Sequence, residues 1–336
     1  MNLRTNYLGL SLRSPLVASA SPIGTKPDSV REAVDAGVGA VVLPSFFEEQ
    51  GRRQEAEDMM LMEEHEGSFG EATSYFPTSP TVATGGASAY LTHLEHVVAA
   101  VDVPVIASLN GTTTGGWTGV AKGMQEAGAA AIELNVYSVP SPTADSGHVI
   151  EQRHVEILRA VRESVSVPVA VKLSPYFSST GEMAKSLVEA GADGLVLFNR
   201  FYQPDVDVET LTVSSSLTWS APQEARLPRT WIAILRNQVT ASLAGTTGVH
   251  HGHDVAAYLL AGADVVMTAS ALLEHGPAHA GTILEQLGSW MQRKGFANVK
   301  DVRGLLAVPP GIDVGMHERS GYVGVLSKAK ATYGEI

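Results

Sequence analysis

Two hydrophobic patterns alternate along the chain. Stretches with apolar residues at helical spacing close on Ala-Gly, and short unbroken apolar runs follow them. The joint occurs four times: Ala36-Gly37 leads into Val41-Val42-Leu43, Ala127-Gly128 into Ile132-Glu133-Leu134-Asn135, Ala190-Gly191 into Leu195-Val196-Leu197-Phe198-Asn199, and Ala261-Gly262 into Val265-Val266-Met267-Thr268. Glycine just past a helix end can take the left-handed conformation that closes the last turn. A run without polar alternation suits a strand buried on both faces. The cadence predicts βα units, and chemistry in parallel-sheet folds gathers at the carboxyl ends of strands, so Asn135, Asn199 and Thr268 are site candidates by position alone.

Four further runs, Leu16 to Ser19, Val105 to Asn110, Val169 to Ser174 and Thr240 to Gly245, have the same buried character. The total of about eight parallel strands predicts one closed (β/α)8 barrel of the TIM class, a fold that needs about 250 residues plus insertions. The whole chain, 1–336, reads as a single barrel domain with insertions after strands two and six. The first spans 46–88 and the second 200–229; both exceed simple connectors and fall where active-site loops, lids or oligomer contacts belong. Residues 301–336 lie beyond the barrel count, with a turn at Pro309-Pro310-Gly311, and are expected to pack on the barrel or on a partner subunit.

A hydrophobic content of 44% over 336 residues is enough for a substantial core. The net charge of -12 argues against nucleic acid or an anionic membrane as partner, since those surfaces are electronegative themselves. No stretch approaches the roughly 18 apolar residues of a spanning helix, so the cytoplasm is the expected location. The absence of cysteine excludes disulfides, thiolate metal sites, iron-sulfur ligation by this chain and a Cys nucleophile. Histidines cluster at His250-His251-Gly252-His253, but such tight spacing before a helix rarely closes a metal site, and solvation or capping is the expectation. The Glu-rich run Glu48-Glu49 and Glu55 to Glu66 reads as a solvated helical face or a surface for a redox partner.

Small residues mark the ends of the last two strands, at Gly245-Thr246-Thr247-Gly248 and at Thr268-Ala269-Ser270. Free backbone N–H groups and the start of the following helix could hold a phosphate there. Lys172 stands inside an otherwise apolar strand, where an unpaired ammonium is costly. It therefore needs an anionic partner: a phosphate, a carboxylate such as Glu133, or the electron-rich edge of a cofactor. Asn110, Asn135 and Asn199 end strands three, four and six and could face a flat heterocycle. A lysine, three amides and a phosphate station at one mouth suggest a phosphorylated aromatic cofactor, with FMN the natural fit.

These passages, together with Ser14-Pro15-Leu16-Val17-Ala18-Ser19-Ala20-Ser21-Pro22, Val105-Ile106-Ala107-Ser108-Leu109-Asn110-Gly111 and Val171-Lys172-Leu173-Ser174-Pro175-Tyr176-Phe177, resemble the dihydroorotate dehydrogenase family, most closely its dihydroorotate dehydrogenase-like branch, over nearly the whole chain. The resemblance implies an FMN-dependent oxidoreductase acting on a CH-CH bond, as in pyrimidine biosynthesis, and a homodimer. It places Ala18, Ser19, Ala20, Asn110 and Asn135 against the flavin, and Lys172 near its pyrimidine edge. Gly245, Thr247, Gly248 and Ser270 fall at its phosphate, and Asn199 at both cofactor and substrate. The general base falls on Ser138, with Tyr137 as an alternative acid/base, in Leu134-Asn135-Val136-Tyr137-Ser138-Val139-Pro140.

Three departures affect the substrate. The Pro-Asn of the strand-four loop is missing, Pro44 stands where the family carries a strand-two lysine, and Ser74-Tyr75-Phe76-Pro77 replaces the orotate-binding asparagine motif. Ser74 and Tyr75 become the substrate-side candidates. The cofactor site reads as kept and the substrate site as remodelled, toward another cyclic or unsaturated small molecule, with the electron acceptor open. Two other readings remain: a non-redox barrel that binds a ligand or transfers protons with Ser138, Tyr137 and Lys172, and a dihydropyrimidine dehydrogenase-type barrel that borrows iron-sulfur partners.

Overall fold

The computed structural model describes residues 1–47, 49, 86–111, 117–136, 145–200, 205–214 and 218–334. Eight parallel strands close on themselves: β3 (Leu16–Ala18), β4 (Ala40–Phe47), β5 (Val105–Asn110), β6 (Ala131–Asn135), β7 (Val169–Leu173), β8 (Gly194–Leu197), β11 (Ser242–Gly245) and β12 (Val265–Thr268), with β12 pairing back onto β3. Helices connect them, so the fold is the (β/α)8 barrel that the strand pattern predicts. The four Ala-Gly joints turn as expected, with φ of 104° at Gly37, 93° at Gly128, 103° at Gly191 and 121° at Gly262.

Strand alternation divides the core into two shells. Leu16, Val41, Leu109, Ile132, Leu134, Val171 and Leu195 face outward and pack with the helices. Val17, Val42, Ile106, Ala131, Ala170, Val196, Ala244 and Met267 fill the lumen. A hairpin of β1 (Thr5–Tyr7) and β2 (Leu10–Leu12) adds Tyr7, Leu8 and Leu12 to the lumen shell and closes the floor. Beside that hairpin Asp264, nearly fully buried, accepts from Arg236 at 2.9 Å, from Arg303 at 2.6 Å and from the Leu243 N–H at 2.8 Å.

Three features depart from the sequence reading. β4 runs on past Leu43 to Phe47, and its pairing with β5 shifts register between Val42 and Ser45, around Pro44. The shift has a simple cause, because proline has no N–H to give the ladder. The connection between β8 and β11 contains a second hairpin, β9 (Asp205–Asp207) with β10 (Thr212–Ser214). Finally, the tail divides. Val302 and Val308 are buried and the Leu306 and Val308 N–H groups donate to Leu260 and Ala233 carbonyls, but the helix Val314–Tyr333 is exposed along nearly all its length. Of the two expectations for 301–336, the first part of the tail packs on the barrel, while that helix, which carries three glycines and no continuous buried stripe, does not pack on it within this chain.

Candidate active site

The carboxyl ends of the strands form the mouth, where a cleft is lined by Ser19, Ala20, Lys172, Asn199, Thr247, Gly248 and Ser270 among others. β3 delivers Ser19 and Ala20, and the Ser19 N–H bonds the Thr268 carbonyl at 2.9 Å, so the ends of β3 and β12 stay together. β7 delivers Lys172, whose side chain is only 10% exposed and whose Nζ lies 3.5 Å from Glu133 Oε1. β8 delivers Asn199, which donates through Nδ2 to Asn135 Oδ1 at 3.0 Å. Asn110 pairs in register with Asn135, which in turn pairs with Lys172, and both amides are buried.

At the other end of the cleft the chain after β11 turns sharply. Thr247 and Gly248 both have positive φ, at 80° and 68°. A side chain on Gly248 would bring its Cβ within 2.6 Å of the Ala221 carbonyl oxygen, so only glycine lets the backbone approach this closely. Ser220 sits across the turn, accepting from the Gly248 N–H at 3.1 Å and sharing a 3.0 Å hydroxyl contact with Ser270. The result is a narrow pocket lined by Ser220, Thr247 and Ser270 around the Gly248 turn, chemically suited to anionic oxygens. It fits a phosphate at one end, while Lys172 and the amides fit a polar ring at the other.

Not every candidate faces this cleft. Ala18 points outward into the strand–helix core, and Gly245 faces the Tyr258 ring, which occupies the space a Cβ would take. Neither is among the residues that line the cleft. Ser74, Tyr75, Tyr137 and Ser138 lie outside the described residues. Conversely, Phe198, Arg200, Ser220 and Met267 line the cleft without having been singled out from the sequence. Arg200 pairs with Glu224 at 3.0 Å, and its position next to Asn199 at a strand end was the available signal.

Histidine 250 departs from the reading of a merely solvated cluster. It is partly buried and its Nε2 lies 2.5 Å from the Ser220 carbonyl, steadying the segment that faces Gly248. His251 and His253 are exposed, as expected of a capping turn. Among the described residues no three His, Asp or Glu side chains converge on a position that could hold a metal ion, and no helix is long and apolar enough to cross a membrane.

The closed parallel barrel and its cleft at the carboxyl mouth define the chain as a (β/α)8 barrel with its site at the end where such barrels do chemistry. The dihydroorotate dehydrogenase family profile matches residues 81–291. The chain is 28% identical over 313 residues to the dihydroorotate dehydrogenase B (NAD(+)) catalytic subunit of Methanothermobacter thermautotrophicus, covering 90% of this chain and 98% of that one. It is 26% identical, with the same coverage, to dihydroorotate dehydrogenase A (fumarate) of Lactobacillus delbrueckii subsp. bulgaricus. The chain belongs to the dihydroorotate dehydrogenase family of oxidoreductases.

Proposed function

We propose that the chain is an FMN-dependent oxidoreductase acting on a CH-CH bond, with a substrate other than dihydroorotate itself. What carries the reading is one arrangement: a nearly buried lysine and Asn199, tied to Asn135 behind it, at one end of a cleft whose other end is a hydroxyl-lined turn built on Gly248. Thr247, Gly248 and Ser270 would hold the FMN phosphate, and Ser19, Ala20, Asn110, Asn135 and Asn199 would hold the ring and ribityl chain. The bound flavin would supply the hydride acceptor.

The chain's own part is to bind, orient and move a proton. Lys172 would offer positive charge to the ring edge where negative charge develops on reduction. The Asn199–Asn135 bond fixes both amides, which would hold a bound ring in one orientation. A base on the far side of the substrate must take the proton, and Ser138, or Tyr137 beside it, is assigned that role by the family resemblance.

Support for a changed substrate comes from β4. Pro44 offers no charge, and the neighbouring Ser45 hydroxyl is engaged with Ser108 at 2.7 Å. The end of β4 therefore lacks the cation that the family resemblance would place there. We further assign the protein to the cytoplasm and, on the family resemblance, to a homodimer.

The deciding experiment is a visible spectrum of the purified protein, followed by anaerobic titration with dihydroorotate. Stoichiometric FMN that stays oxidised supports the proposal, and FMN that bleaches returns dihydroorotate as substrate. A colourless protein that cannot be reconstituted overturns flavin chemistry and favours a non-redox barrel.

A further inference from the structure

The barrel lumen holds a charge whose role at the mouth is unassigned. Inward positions on β6 are Ala131, Glu133 and Asn135, alternating with Ile132 and Leu134 in the outer shell. Glu133 thus lies one step below the amide at the rim. It is 1% exposed, and neither carboxylate oxygen has a hydrogen-bond partner among the described residues. Among the described residues its one ion pair is with Lys172 Nζ at 3.5 Å. Beneath it, the Tyr7 hydroxyl on the floor hairpin is likewise buried without a partner, and burial together with the nearby Glu133 charge raises its pKa.

A buried ion pair without supporting hydrogen bonds contributes little to stability, because desolvation of the two ions offsets their attraction. The pair's electrical effect is larger. Lys172 lines the cleft, whereas Glu133 lies below and is sealed from solvent. Any ring bound at the mouth meets the ammonium first and the carboxylate behind it, in a setting too dry to screen either.

We propose that Glu133 is a positioning residue that holds the Lys172 ammonium from below and sets how much positive charge a bound flavin experiences. The inference rests on the FMN reading above. With Glu133 in place the ammonium is partly neutralised, which keeps the flavin from becoming a stronger oxidant. Without it the full cation faces the ring and favours the electron-rich reduced state.

The test is the FMN midpoint potential of the holoprotein, measured spectroelectrochemically. Glu133→Gln, close in shape, should favour reduced over oxidised FMN by roughly tenfold, equivalent to about 30 mV upward for a two-electron couple. Glu133→Asp, which draws the carboxylate away from Nζ, should shift the potential in the same direction by less, and serves if the glutamine variant fails to fold. In a Lys172→Met background there is no ammonium left for Glu133 to shield, so adding Glu133→Gln should shift the potential by clearly less than it does with Lys172 present. A potential unmoved in both single variants, or an equal shift with and without Lys172, overturns the proposal while leaving the FMN reading intact. Parent protein that takes up no FMN overturns both.

Discussion

Asn199 Nδ2 donates to Asn135 Oδ1 across 3.0 Å, joining the ends of β8 and β6 over the top of β7, where Lys172 emerges. Neither amide can be removed without freeing the other. Asn135→Ala and Asn199→Ala are each expected to weaken FMN retention roughly tenfold, about 1.4 kcal/mol. The double variant should fall short of the product of the two effects, since the residues share one contact. Fluorescence titration of the apoprotein with FMN measures all three.

Gly248→Ala should damage both the fold and the phosphate pocket. The added Cβ meets the Ala221 carbonyl in a backbone already at φ 68°. A loss of roughly 1–3 kcal/mol in urea unfolding is expected, together with loss of FMN from the purified protein. Unchanged stability and full occupancy would mean that the turn relaxes freely.

The floor offers a purely structural test. Asp264→Ala would leave Arg303 without its carboxylate, Arg236 with only the Gly262 carbonyl and the Leu243 N–H unbonded. Removing one partner of a buried ionic network costs about 3 kcal/mol or more. Denaturant melts should show that loss, while the flavin spectrum of the folded fraction stays unchanged.

His154 predicts a pH dependence. Its ring is buried against Phe177 with Nδ1 2.8 Å from the Ile150 carbonyl, and burial lowers its pKa from the ordinary 6.5. The unfolded chain then binds the proton more readily than the native state, so the contribution of this residue is full above about pH 6.5 and falls as pH drops through the lowered native value. His154→Phe should flatten the stability profile in that window, as read by thermal melts between pH 7.5 and 5.

Ser138→Ala, at the position assigned as base, should slow flavin reduction by the true substrate by about 100-fold or more while FMN stays bound. Stopped-flow absorbance reads this directly, and an unchanged rate would move the role to Tyr137.

The barrel was legible because its strands are buried on both faces. Val105–Asn110 and Val265–Thr268 begin and end where the apolar runs do. Legibility faded where pattern and pairing part company. Pro44 interrupts the apolar run of β4, yet the strand continues to Phe47 by shifting register. Lys172 stood out because a lone charge in an apolar strand demands a partner, and Glu133 was among the partners named. Arg200 could have been read from its place next to Asn199 at a strand end, whereas Ser220 was not legible as a cleft residue, because its approach depends on the path of the long β8–β11 connection rather than on any local period. The exposed helix Val314–Tyr333 gave no warning either, since its mix of Gly, Val and Lys carries no clear face.

The β1–β2 hairpin has a practical consequence. It stops the lower end of the barrel with Tyr7, Leu8 and Leu12, and Met1 just before it is exposed. A linker attached at Met1 would leave from the end opposite the cleft. Protein captured on an electrode or sensor chip through that terminus would stand with its mouth toward the bulk solution, free to exchange reactants with the flowing buffer.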